Sequence, residues 1–208
     1  MRRAISVANV IDARFQTLNL EGEWLEAIGK PESSGTWFIF GPPKNGKTTF
    51  AMMLTKVLAG FKKIAYNSVE EGLSLTIKMA LERTGMVDVG SRFVLLDKED
   101  VNELTIRLKK HKSADIVVID SVQFMDLKWS EYKLLKAEFP NKLFIYISHI
   151  DGTKPDGLTA RKIWRDASVV FRVQGFRAIP VSRYGGGKYI DISKEKADAY
   201  WGLESIKE

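Results

Sequence analysis

The 208-residue chain contains no cysteine. That excludes disulfides, thiolate zinc sites and cysteine nucleophiles, and it fits a reducing cytoplasm. Only two histidines occur, His111 and His149. No apolar run approaches the roughly 18 residues of a membrane-spanning helix, so no membrane association is expected. The opening MRRAISVANVID is basic but has no apolar core before Asp12, which argues against a secretory signal. Tandem repeats, linkers and low-complexity tracts are absent. What remains is a soluble globular composition, 45% hydrophobic and 28% charged, with a net charge of +6 that raises the odds of a polyanionic partner.

Five short apolar runs punctuate the chain: TWFIF (36–40), KIAYNS (63–68), RFVLL (92–96), DIVVID (115–120) and LFIYIS (143–148). Most are nearly continuous in apolar residues, as in strands buried on both faces. Between them TTFAMMLTKVLAG, EGLSLTIKMALERTG, VNELTIRLKKHK and WSEYKLLKAEF carry helical spacing. Alternating strand and helix predicts an α/β fold, a mostly parallel sheet with helices on both faces. After about residue 165, ASVVFRVQG, FRAIPVSRYGGG and KYIDIS are shorter and joined by glycine-rich turns, so they read as an antiparallel edge. Residues 1–33 form a lead-in with ARFQTLNL and EWLEAIG as ordered candidates, and 34–208 form one domain.

GPPKNGKTTF follows the first strand. Gly41, Gly46, Lys47 and Thr48 match G-x-x-x-x-G-K-[ST], and the motif sits between a strand and a helix as its chemistry requires. Backbone N–H groups from Gly41, Pro42, Pro43, Lys44, Asn45 and Gly46 onward (prolines excepted) would face a bound phosphate chain. The helix N-terminus at Lys47 favours negative charge. Lys47 is expected on the β- and γ-phosphates, the Thr48 hydroxyl on Mg²⁺ and Thr49 near the α-phosphate. Asp120, ending the IVVID strand, is the expected metal-side carboxylate. Asp115, at the other end of that strand, reads as structural.

The segment Asp120-Ser121-Val122-Gln123 resembles the D-S-x-Q segment of RecA-type ATPases, especially RadA and the DnaB helicases. The resemblance covers about residues 36–190, and the whole is similar to stand-alone RecA-like ATPases of phages and mobile elements. It implies a RecA-like P-loop NTPase that uses ATP and Mg²⁺; no N-K-x-D guanine-reading segment is evident. By position Glu70 in SVEEG matches the family's catalytic Glu, with Glu71 in the first helical turn. His149 stands where relatives carry a γ-phosphate sensor. The segment 151–165 matches the second DNA loop, with Lys154, Arg161, Lys162 and Arg165 as phosphate contacts and Trp164 as a stacking candidate. QFMDLKWSE, with Lys128 and Trp129, matches the first. The two tryptophans alternatively pack in the core.

Arg183-Tyr184-Gly185 resembles the R-F-G of the RadA motif K-N-R-F-G, whose basic groups reach a neighbour's nucleotide. The motif lysine is missing; Val181 and Ser182 precede Arg183, and Lys188 is a possible substitute. The resemblance thus implies a homo-oligomeric DNA-dependent ATPase, ring or filament, acting in recombination, repair or replication, although residues 1–33 show no obvious polymerisation arm. The alternative expectation is an ATP-switched assembly or accessory protein that binds a protein partner with little hydrolysis. A small-molecule kinase is weaker, because no arginine-rich lid is evident.

Overall fold

The computed structural model describes residues 4–202. The lead-in holds α1 (Val7–Ile11) and α2 (Gly22–Ile28), and then strand and helix alternate. In order these are β1 (Gly35–Phe40), α3 (Lys47–Leu58), β2 (Ile64–Ser68), α4 (Leu75–Arg83), β3 (Phe93–Asp97), α5 (Val101–Lys109), β4 (Ile116–Asp120), α6 (Trp129–Glu138) and β5 (Leu143–Ser148). A small hairpin, β6 (Ile150–Asp151) and β7 (Lys154–Pro155), precedes α7 (Leu158–Asp166). The chain then runs through β8 (Val169–Gln174), β9 (Arg177–Ser182), β10 (Ile190–Asp191) and α8 (Lys194–Trp201). Among the described residues no helix is long and apolar enough to cross a membrane.

The main sheet has the order β10-β9-β8-β1-β5-β4-β2-β3. Its strands alternate between two buried faces, which is why their sequences are nearly continuous in apolar residues. Trp37, Ile39, Ile116, Val118 and Ile145 pack with Phe50, Leu54 and Ile77 from α3 and α4, and with Trp24 and Ile28 from α2. Phe38, Phe40, Val117, Ile119 and Tyr146 pack on the other side with Leu104, Leu135 and Ile163 from α5, α6 and α7. Helix starts are fixed locally. Asp100 and Glu103 form a reciprocal capping box on α5, and Ser74 accepts from Ile77 N on α4. The lead-in joins the core through Leu18, Leu20, Trp24, Ala27 and Ile28.

The C-terminal strands differ from expectation in one respect. β8 runs parallel to β1, pairing Trp37 with Val169 and Phe40 with Arg172. Only β9 and β10 are antiparallel. The cause is α7, which returns the chain to the amino edge of the sheet before β8 begins.

Candidate functional site

Four neighbouring strands, β1-β5-β4-β2, end level with one another. Phe40 stands opposite Ser148, Asp120 opposite Ile147 and Ser68 opposite Asp120. The loop from Gly41, the carboxylate Asp120, the turn carrying Glu70 and the residue His149 therefore meet at one end of the sheet.

The loop has the shape its glycines permit. Gly46 sits at φ +96° as the N-cap of α3, a left-handed conformation that disfavours a side chain. A Cβ at Gly41 would lie 1.9 Å from the carbonyl oxygen of Val173, so β8 touches the loop backbone directly. Pro43 and Lys44 are exposed, and Lys44 also has positive φ, at 61°. Asn45 Nδ2 donates to Pro43 O at 2.9 Å, and Asn45 Oδ1 accepts from Gly175 N at 2.7 Å, tying the loop to the β8–β9 turn.

Lys47 Nζ donates to Gly41 O and Pro42 O, each at 3.0 Å. Burial lowers its pKa, against the opposing pull of the Asp120 and Glu70 carboxylates. Asp120 is buried, and Tyr66 OH donates to its Oδ2 at 2.5 Å. Desolvation pushes Asp120 up to about 6; the Tyr66 hydrogen bond and Lys47 pull it down, and Glu70 and Glu71 push it further up. Tyr66 is itself raised well above its ordinary value, chiefly by burial and then by Asp120, so it remains a donor.

Glu70 is tied to the same point by its backbone, whose N–H donates to Asp120 O at 3.0 Å. Its Oε2 lies 2.9 Å from His149 Nε2. The two residues singled out as base and sensor thus touch. Glu71 is placed differently from expectation: it precedes the N-cap Ser74 by three residues, and its Oε2 accepts from the hydroxyls of Ser74 and Thr76. The tight turn at Gly72 delays the helix start by those residues.

The donor set suits a hard divalent cation. Thr48 supplies a hydroxyl in the first turn of α3, and Asp120 a carboxylate from the end of β4. Beside Asp120 the Ser121 Oγ is buried without a hydrogen-bond partner, a polar atom suited to a metal's water shell.

Comparison with solved structures finds the same architecture in the ATPase domain of a helicase, with a TM-score of 0.53 and 14% identity over 79% of this chain and 83% of that one. The RadB recombinase matches with a TM-score of 0.53 and 20% identity over 82% and 93%. The flagellar accessory protein FlaH from Methanocaldococcus jannaschii matches with a TM-score of 0.60 and 11% identity over 86% and 96%. The chain has the RecA-like ATPase fold. No family model and no curated protein matches the sequence.

Within this RecA-like fold the two DNA-loop segments are more ordered than their sequences suggest. Residues 151–165 form the β6–β7 hairpin and most of α7 rather than a long loop, because Ala160 and Ile163 give α7 a buried face. Arg161 is engaged by Pro155 O and Asp151, and Lys162 Nζ lies 5.5 Å from the Trp129 ring centroid. Trp129 stacks on Tyr132 and Trp164 packs against Phe40, the core alternative for both. Lys128 and Lys154 are exposed. A cleft of about 260 Å³ separates the two segments, but Asp126 and Asp156 line it and none of the predicted cations does.

Three residues without an assigned role in the sequence reading belong to the site. Tyr66 grips Asp120. Gln123 donates to Ser148 Oγ and Asp156 O and accepts from His149 N, at 2.9, 2.8 and 3.2 Å, so it joins the sensor to the hairpin. Arg83 Nη2 donates to Thr49 Oγ1 at 2.7 Å, bringing a cation to the start of α3. Of these only Gln123 had a signal, as the last residue of the D-S-x-Q match.

Arg183 lies at the other end of the sheet. β9 begins beside the loop, with Arg177 opposite Gln174, and ends with Ser182 opposite Val169. Arg183 N then donates to Ser168 O. Some six residues of strand, roughly 20 Å, separate Arg183 from the loop of its own chain. Lys188 is paired with Glu26 at 2.6 Å.

Proposed function

We propose that this protein binds Mg·ATP at residues 41–49, hydrolyses it, and couples hydrolysis to DNA as a homo-oligomer. The observation that carries the reading is the convergence of Lys47, Asp120 and Glu70, with Glu70 held by His149 at 2.9 Å.

Lys47 transfers its hydrogen bonds from the loop carbonyls to the β- and γ-phosphates and stabilises the charge that spreads there. Glu70 orients the attacking water and accepts its proton as the oxygen–phosphorus bond forms and the bond to the β-phosphate oxygen breaks, giving ADP and phosphate. Thr48, with Asp120 acting through water, would hold Mg²⁺, whose chemistry is to bridge and neutralise the phosphate oxygens. His149 shares Glu70 with the site and Gln123 with the hairpin, so a change at the γ-phosphate is passed to residues 151–157.

The distance between Arg183 and its own loop supports action in trans, with one copy's arginine serving a neighbour's phosphates. The exposed Val7, Val10 and Ile11 of α1, which buries no side chain, supply an apolar arm for a second copy to cover. The likeness to FlaH, an accessory protein by name, favours a second reading: an ATP-switched accessory protein with little turnover. ATP hydrolysis measured with magnesium, with and without single- and double-stranded DNA, separates them. Stimulation by DNA supports the first reading; ATP binding with no stimulated turnover supports the second.

A further inference from the structure

The amino edge of the sheet, opposite the phosphate loop, gathers cations from four consecutive strands. Lys62 and Lys63 precede β2, Arg92 precedes β3, Lys110 and Lys112 precede β4, and Lys142 precedes β5. In sequence these are scattered charge runs. The sheet order β5-β4-β2-β3 sets them side by side, over a width of roughly 14 Å at the usual strand spacing.

A cleft of about 160 Å³ opens there between Lys63, Ser91, Arg92, Arg107, Lys112 and Ser113, and no carboxylate lines it. Arg107 is neutralised by Glu99, and Arg92 donates to the carbonyls of Ala59 and Gly60. Among the described residues Lys63 and Lys112 pair with no carboxylate. Lys112 is held at φ 60°, left-handed for a non-glycine residue, a conformation that turns up where the surrounding structure or a function requires it. Beside Lys62 the ring of Phe61 is 41% exposed, a flat apolar surface among cations. The contrast with the cleft at the opposite edge is direct, since that one is lined by two carboxylates and no cation.

We propose that this amino edge is a binding surface for single-stranded nucleic acid, with Lys63 and Lys112 on backbone phosphates and Phe61 stacked on a base. Unpaired cations facing a cleft without acids favour a polyanion. An exposed aromatic ring among them favours unstacked bases over an acidic peptide or a lipid surface. The surface is separate from the segments 123–129 and 151–165 and does not depend on hydrolysis.

The test uses the full chain and a fluorescent single strand of about 20 nucleotides, long enough to span a typical single-strand site, titrated over a range of salt. Each phosphate contact on a single strand contributes about 0.7 to the slope of log affinity against log salt. Lys63→Gln with Lys112→Gln should lower the slope by about 1.4 and raise Kd roughly 25-fold at about 0.1 M salt. Phe61→Ala should weaken binding about fivefold or more and leave the slope unchanged. ATP turnover without DNA and thermal stability should match the wild type in all variants. An unchanged slope and Kd in the double variant overturns the proposal, as does a loss confined to vesicles of anionic lipid. A wild type that binds the strand through this edge but hydrolyses no ATP sinks the catalytic reading alone.

Discussion

Asp120→Asn should make the protein more stable while removing its metal-side carboxylate. Asp120 is buried and ionises at about 6 in the fold, against 3.8 ordinarily. Between those values the unfolded chain gives up its proton first. Stability therefore falls as pH rises through the window from about 4 to about 6 and stays lower above it. The gap of roughly two pH units corresponds to about 3 kcal/mol at neutral pH. Asparagine removes that charge and keeps an oxygen to accept from Tyr66. For a chain of this size each kcal/mol moves Tm by about 2–4 °C, so the gain reaches about 6–12 °C at its upper limit. The assay is thermal unfolding of both proteins from about pH 4 to about pH 7.5, without nucleotide or magnesium, since either would favour the ionised form. The variant should melt higher at the alkaline end, with the difference shrinking toward zero at the acid end. A variant that melts at or below the wild type at the alkaline end, or a difference that does not vary with pH, refutes the reasoning.

Gly41→Ala forces a Cβ to within 1.9 Å of Val173 O and should cost about 2–3 kcal/mol, read as a lower denaturation midpoint together with weakened ATP binding. Gln123→Ala cuts three hydrogen bonds between β4, His149 and the hairpin. It should cost about 2–3 kcal/mol and leave basal turnover near wild type while DNA stimulation disappears; retained stimulation would show that coupling runs elsewhere. Arg183→Ala should lower turnover on the order of a thousandfold, and mixing it with an inactive Glu70→Gln protein should restore activity, because each supplies what the other lacks across the interface. Mixing without recovery argues for action in cis or for none.

Much of the fold was legible because the apolar runs are long enough for strands and the helices carry their own caps. The loop Gly41–Thr49 announced itself, since its glycines answer local backbone demands. Partners distant in sequence were not legible. Nothing in IAYNS indicates that Tyr66 reaches Asp120, which requires β2 to lie beside β4 in one register. Nor does Arg177–Ser182 reveal that β9 carries Arg183 away from the loop of its own chain. Residues 151–165 read as a loop because glycine and basic residues are frequent in them, yet two buried positions, Ala160 and Ile163, suffice to dock α7. The basic amino edge was invisible for the same reason. KKI and KKHKS are ordinary charge runs until strand order places them together.

The most direct test of the account is ATP turnover by Glu70→Gln against the wild type, each with magnesium and saturating ATP. Binding of a fluorescent ATP analogue is followed in parallel. The account predicts Mg²⁺-dependent hydrolysis by the wild type, and a variant that binds the analogue with similar affinity but turns ATP over at least about a hundredfold more slowly, roughly the loss of one general base. Hydrolysis by Glu70→Gln at the wild-type rate would contradict it.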